Sequence, residues 1–346
     1  MKNKVLIILS ITLLCSVSCV SNKNTTGEYP TIDIKGREFP NEVLSNTPML
    51  CSVGDMLLTI SSRAKPMMNL YSIGNELELV ASYGTIGRSS DEFISLRIGA
   101  VIGDTIEVSD INKRRVTTLL YDREHERIVK LKHKDYNKIK LGKTDITMTD
   151  GLFQKLKNQN YVSLSRNGAE SMFSLYDNEL NFIKHFGYFE FIDGADPLEI
   201  INFMPGSIKS RGNNMVFATS RLPYIVMYTI DGDVIHKNWD DEILPVEVSV
   251  VNKGIRFNKE KSIGRCQHID ISDKYIYVLF SDAPLVDDER GGDIIYVYDY
   301  SGNKVARFNL EHLVGYMCVN KDDSKLYLSK VEDSKILECD ISKYLK

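Results

Sequence analysis

The sequence has no basic block longer than Lys113-Arg114-Arg115, and its 43 Lys and Arg are outnumbered by 47 Asp and Glu, for a formal charge of −4. Gripping a nucleic-acid backbone takes a concentrated cationic surface, so nucleic acid is excluded as a partner. No Cys-x-x-Cys pair occurs, which removes zinc knuckles and thioredoxin-type redox sites. A G-x-S-x-G elbow and an H-E-x-x-H helix are also missing, so neither an α/β-hydrolase nor a zincin is supported. The histidines (His125, His133, His185, His236, His268 and His312) never recur at i, i+2 or i, i+4. No metal and no cofactor are expected. Charged residues make up only 26% of the chain and hydrophobic ones 43%, which excludes disorder and supplies a large core.

What is present begins with an address. Lys2 and Lys4 precede the mostly apolar stretch Val5 to Leu14, about half the 20 residues that a membrane-spanning helix needs. This is the pattern of a secretory signal peptide. It ends in Ser16-Val17-Ser18-Cys19, which resembles a bacterial lipobox with Ser16 where the pattern usually has an aliphatic residue. The resemblance implies diacylation of Cys19; the alternative is a cleaved, unlipidated secreted protein. Residues 1–19 are read as the leader, 20–29 as a flexible polar tether and 30–346 as one domain. The expected location is the cell envelope, on the periplasmic side or cell surface of the outer membrane. Loss of the two leader lysines leaves 41 basic against 47 acidic residues, a charge of −6. Beyond Cys19, Cys51, Cys266, Cys318 and Cys339 then remain. Most lie in apolar, strand-like contexts and read as small buried hydrophobes, although an even count also permits disulfides.

The body of the chain repeats. Six segments each combine a polar turn with a short β-rich run that ends in Ser plus a charged residue. After the turn the runs start at residues 56, 105, 161, 215, 275 and 325, 49 to 60 residues apart. Hairpins follow several of them, with Asp231-Gly232 and Ser301-Gly302 as tight turns. A unit of about 50 residues with three or four antiparallel strands is a propeller blade. The predicted fold is all-β, a six-bladed β-propeller. The last repeat lacks an outer strand, so an N-terminal strand closes the ring, with Thr31-Ile32-Asp33-Ile34 as the candidate. The one helical candidate, Gly151 to Leu156, reaches one or two turns at most.

Gly84-Thr85-Ile86-Gly87 is not followed by G-K-[ST] and no βαβ unit surrounds it, so it reads as an inter-blade turn and not as a phosphate cradle. The longer segment Tyr83 to Phe93 is similar to the G-x-x-G-x-x-x-x-E-F connector of NHL- and TolB-like propellers. Together with the leader, the chain resembles the TolB-like six-bladed propeller lipoproteins of Bacteroidota. That resemblance implies a fold and an envelope location, and no particular reaction.

Candidate sites are few. The loop Asp287 to Asp293 could gather oxygen ligands but reads better as a solvated loop. Trp239, the only tryptophan, stands beside Asp240, Asp241 and Glu242 as a sugar platform or as ordinary packing. The charged run ends Arg63, Asp110, Arg166, Arg221, Asp282 and Lys330 are predicted to ring the channel mouth, either to bind an anion or to pair and seal the channel. The expected function is a membrane-anchored binding scaffold for a small anionic or glycan ligand or an envelope protein. The alternative is a lyase or hydrolase acting on a sugar or lactone. Metabolic labelling with a fatty acid should mark the native chain and not Cys19→Ala; equal labelling of both would remove the lipid anchor.

Overall fold

The computed structural model describes residues 29–40, 48–136, 139–141, 144–146, 153–164, 171–187, 194–196, 199–200, 205–220, 224–239, 248–258, 260, 263–284 and 291–345. Two short strands come first, β1 (Thr31–Ile34) and β2 (Arg37–Glu38). The first blade is β3 (Met49–Val53), β4 (Met56–Ile60), β5 (Met68–Ile73) and β6 (Leu77–Tyr83). The second is β7 (Leu96–Ile102), β8 (Thr105–Asp110), β9 (Arg115–Asp122) and β10 (Arg127–Asp135). A hairpin, β11 (Ile139–Leu141) with β12 (Thr144–Ile146), precedes the third blade. That blade is β13 (Gln154–Lys155), β14 (Tyr161–Leu164), β15 (Phe173–Tyr176) and β16 (Phe182–Phe186). The fourth is β17 (Gly206–Arg211), β18 (Asn214–Thr219), β19 (Tyr224–Thr229) and β20 (Val234–Trp239).

A second hairpin, β21 (Val248–Val251) with β22 (Gly254–Phe257), leads into β23 (Ile263–Ile271), β24 (Tyr275–Pro284), β25 (Gly292–Asp299) and β26 (Lys304–Val319). β27 (Lys325–Lys330) and β28 (Ile336–Asp340) end the chain's strands. The 16-residue β26 serves two blades: Lys304 to Asn309 pair with β25 as the outer strand of the fifth, and Val314 to Val319 pair with β27 as the inner strand of the sixth.

Each run that ends in Ser plus a charged residue contains the second strand of a blade, β4, β8, β14, β18, β24 or β27. A second strand is covered on both faces by neighbouring blades and paired along both edges. Its sequence is therefore almost continuously apolar, as in Met215-Val216-Phe217-Ala218, all buried. Gly232 and Gly302 take positive φ in the third-to-fourth strand turns, as their sequence context predicts. The helical candidate differs from expectation, because Gln154–Lys155 form the inner strand β13, with Phe153 buried beside them. A short β pairing there keeps the ring continuous, and six residues are too few to nucleate a helix without tertiary support.

The core is divided among the seams. Among the described residues six apolar clusters form, one between each pair of adjacent blades including the sixth and the first. Cys51, Cys266, Cys318 and Cys339 are buried free thiols within these clusters.

Ring closure corrects one expectation. Thr31–Ile34 pairs parallel with β26 and covers the outer edge of the fifth blade, where Ile34 enters the core between blades five and six. The outer strand of the sixth blade is Arg37–Glu38, antiparallel to β28. Gly36 makes the crossing between them, since a Cβ there would stand 2.8 Å from Leu337 Cβ. Arg37 then donates to the Asn75 and Gly74 carbonyls of the first blade at 2.7 and 2.9 Å and to Glu338 of the sixth at 3.2 Å. Phe39, fully buried, fills the seam. Hydrogen bonds from Lys335 and Lys330 hold the Glu38 carboxyl below the ordinary glutamate range.

Phe39→Ala should cost about 3–5 kcal/mol in urea unfolding, the usual loss for a buried aromatic. Because the folded pKa of Glu38 is depressed, its contribution is complete above about pH 4.3 and is lost as pH falls through the lower folded value. Glu38→Gln should flatten that acid dependence while the slope from other carboxylates persists. An unchanged stability profile between about pH 3 and 6 would contradict the assignment.

Candidate functional site

The innermost strands converge on the axis, and their C-terminal ends enclose a cavity of about 510 Å³. Residues from all six inner strands or the turns that follow them line it, at the end of the channel where the first-to-second strand turns lie. The wall is chemically uneven. The third blade supplies Lys155 and Lys157, the fourth Lys209 and Arg211, and the sixth Lys321, against a single carboxylate, Asp270, from the fifth. Blades one and two contribute only small or aliphatic groups, from Cys51, Ser52 and Gly54 to Ile98 through Gly103. No aromatic side chain lines the cavity among the described residues.

Polar contacts stitch the seams around it. Arg123 of blade two reaches Asp55 of blade one at 3.5 Å and Asp104 at 2.7 Å. Lys155 donates to the buried Glu107 of blade two at 2.8 Å, and Glu107 also accepts from Tyr161 and Thr118. The Gln154 amide donates to Ser210 across the third seam. Arg211 pairs with Asp273 at 2.6 Å, and Lys209 lies 3.5 Å from Asp270. Asp270 in turn accepts the Val319 N–H at 2.9 Å, and Ser52 donates to the Val319 carbonyl at 3.1 Å. Tyr277 donates to Asp323 at 2.7 Å.

These surroundings set the charge states. Burial opposes the Lys209 charge, but Asp270, joined by Cys51 and Cys318, outweighs it, and the ammonium titrates above the ordinary lysine value. Burial, with Lys209 adding repulsion, pushes His268 down to about 3, so its imidazole is neutral. Burial also pushes the Cys51 thiol up to about 12. At neutral pH the floor therefore presents a cation and no thiolate or imidazolium. Among the described residues no three His, Cys, Asp or Glu side chains converge on a metal position.

The residues expected at the mouth are placed elsewhere or lie outside the described residues. Arg63 is exposed in the turn after β4, and Asp282 is exposed on β24. Asp110 is buried at the end of β8, where it accepts the N–H groups of Ile94, Asn112 and Lys113 and so shapes two turns. Lys330 is buried and bonded to Glu38 and Asp333. Arg166, Arg221 and the lipobox Cys19 lie outside the described residues, as does most of the acidic loop, 285–290. A second strand runs antiparallel to the first and one position farther from the axis, so its C-terminal end lies at the opposite face from the cavity. Trp239 ends the outermost strand of the fourth blade, away from the axis. The cavity cations carried a modest signal in sequence: Lys155-Leu156-Lys157 and Lys209-Ser210-Arg211 both stand just before the polar turn of a repeat.

Six antiparallel blades around a cation-lined axial cavity define a six-bladed β-propeller. The chain belongs to the family described as TolB-like 6-blade propeller-like, whose model matches residues 38–322. It is similar in fold to a putative exported protein from Bacteroides fragilis NCTC 9343, with a TM-score of 0.55 and 13% identity over 90% of this chain and 98% of that one. A member of the DUF4221 family from Bacteroides vulgatus ATCC 8482 gives a TM-score of 0.57 at 10% identity, with the same coverage of both chains. A search of curated proteins found no match.

Removing Lys155 alone would strand the buried Glu107 carboxylate, so Lys155→Met should cost about 3–5 kcal/mol. Adding Glu107→Gln should recover much of that loss. A double variant no more stable than Lys155→Met in urea melts would show that the two groups are not coupled.

Proposed function

We propose that this protein is an exported, lipid-tethered propeller that binds a small anionic ligand in its axial cavity. The observation that carries the reading is the lining itself: among the described residues it holds five cations and one carboxylate, and although Lys155 and Arg211 are paired with Glu107 and Asp273 behind the wall, Lys157, Lys209 and Lys321 share only Asp270, on a chain whose overall charge is −4. Lysine ammonium groups and a guanidinium suit carboxylate, phosphate or sulfate. The aliphatic wall, without an aromatic face, favours an anion over a neutral glycan, which proteins commonly hold against aromatic rings. Asp270 is engaged by Lys209 and the Val319 N–H, and among the described residues the lining offers no second carboxylate to act with it as an acid/base pair. That supports binding over hydrolysis or lyase chemistry.

The leader that ends in Cys19 and the exported relative from Bacteroides fragilis support an envelope location. β1 begins beside the Tyr300 to Asn303 turn, at the cavity end of the blades. Titration calorimetry of the mature chain with phosphate, sulfate and small carboxylates at low salt should show binding that weakens as ionic strength rises. Lys209→Met combined with Asp270→Asn removes the floor cation without stranding its partner and should lower affinity at least about tenfold, or ~1.4 kcal/mol. Unaltered affinity in that variant would overturn the site.

A further inference from the structure

Of the five cavity cations, Lys155 and Arg211 are paired with Glu107 and Asp273, and the other three occupy two levels. Lys209 projects from within β17, two residues before the strand ends at Arg211, and its side chain is 20% exposed. Lys157 and Lys321 lie in the first-to-second strand turns and are exposed at the rim. At about 3.3 Å per strand residue, the Lys209 backbone lies roughly 7 Å before the end of its strand, whereas Lys157 and Lys321 lie beyond the ends of theirs. Their partners differ as well. Among the described residues the one ion pair of Lys209 is the 3.5 Å contact to Asp270, so an ammonium with three donors keeps capacity beyond it at the cavity wall. Among the described residues Lys157 and Lys321 form no ion pair, while Asp273, the carboxylate near Lys321, is already bonded to Arg211. The third and sixth blades, which carry these two lysines, stand opposite each other in a ring of six. The second blade adds Ile98, Val101 and Ile102 to the lining; Ile98 and Val101 also pack against the core between blades one and two, and Ile102 is exposed.

We infer that the ligand is a dianion whose two anionic groups are separated by an apolar spacer. One group is held by Lys209 at the floor and the other by Lys157 and Lys321 at the rim, and the spacer lies on the aliphatic wall of blade two. This rests on the anion-binding reading above and adds to it the number and spacing of the charges. A single small anion satisfies only one level. A dianion of matching length satisfies both without paying the association entropy twice.

The test is titration calorimetry of the mature chain with linear α,ω-dicarboxylates of four to ten carbons, with hexanoate as the monoanion of similar body. Affinity should peak at an intermediate length, with the best dicarboxylate at least about tenfold tighter than hexanoate. In Lys157→Gln/Lys321→Gln that ratio should fall to about threefold or less, with the thermal midpoint checked by circular dichroism. Equal affinity for hexanoate and every dicarboxylate would overturn the dianion and leave the anion site standing. So would a tenfold preference that survives in the double variant. Failure of every anion to bind would remove both readings.

Discussion

A propeller blade has two apolar faces and cannot bury either one alone, so the whole molecule depends on the ring being closed. Here the closing blade is assembled from both ends of the chain, with β2 laid on β28 and the rest of the sheet drawn from the C-terminal repeat. The segment that closes the sixth blade also covers the fifth, because β1 adds a parallel strand to β26 before the chain crosses at Gly36. Arg37 then bonds to blade one on one side and to Glu338 on the other. Closure makes the last seam equivalent to the other five, each with its own apolar cluster.

The same closure creates the site. Six inner strands directed at one axis leave their innermost edges unpaired, and the space between them is too polar to collapse into a core. Side chains long enough to span a seam answer this, as Lys155 does with Glu107 and Lys209 with Asp270. Each pair carries a desolvation cost that good geometry and extra hydrogen bonds must offset. Glu107 gathers three donors on Oε1, although its Oε2 is buried with no partner among the described residues, whereas Lys209 has a longer and looser contact. The loosely paired cation is the one at the cavity floor. The seam contacts and the cavity lining thus share Lys155, Lys209, Arg211 and Asp270, and among the described residues three of the six inner strands or their turns contribute cations to the lining while the fifth alone contributes a carboxylate.

How far the fold could be read from the chain depended on the environment of each strand. Second strands are enclosed on every side, so Met215 to Ala218 or Ile276 to Phe280 stand out as apolar runs at a steady interval. Inner strands are enclosed on one edge only. β17 is half-buried along its whole length and mixes Ser207, Lys209 and Arg211 with a single Ile208, and β13 is two residues long. Neither shows a period that could be recognised. β2, also two residues long, is defined by its partner alone. Of the charged run ends, Arg63, Asp110, Asp282 and Lys330 were easy to see and lie toward the face opposite the cavity, because a repeat reports which residues are equivalent and not which end of the blade encloses space.

Local sequence therefore determined the number of blades, the tight turns at Gly232 and Gly302, and the burial of the cysteines, since each follows from contacts that recur within or between neighbouring repeats. Tertiary structure alone decided which strand closes the ring and which cations meet at the axis. Lys157, Lys209 and Lys321 come from three blades and are distant in sequence, and only the circular arrangement, with the curvature that brings six inner strand ends together, gives them a common cavity.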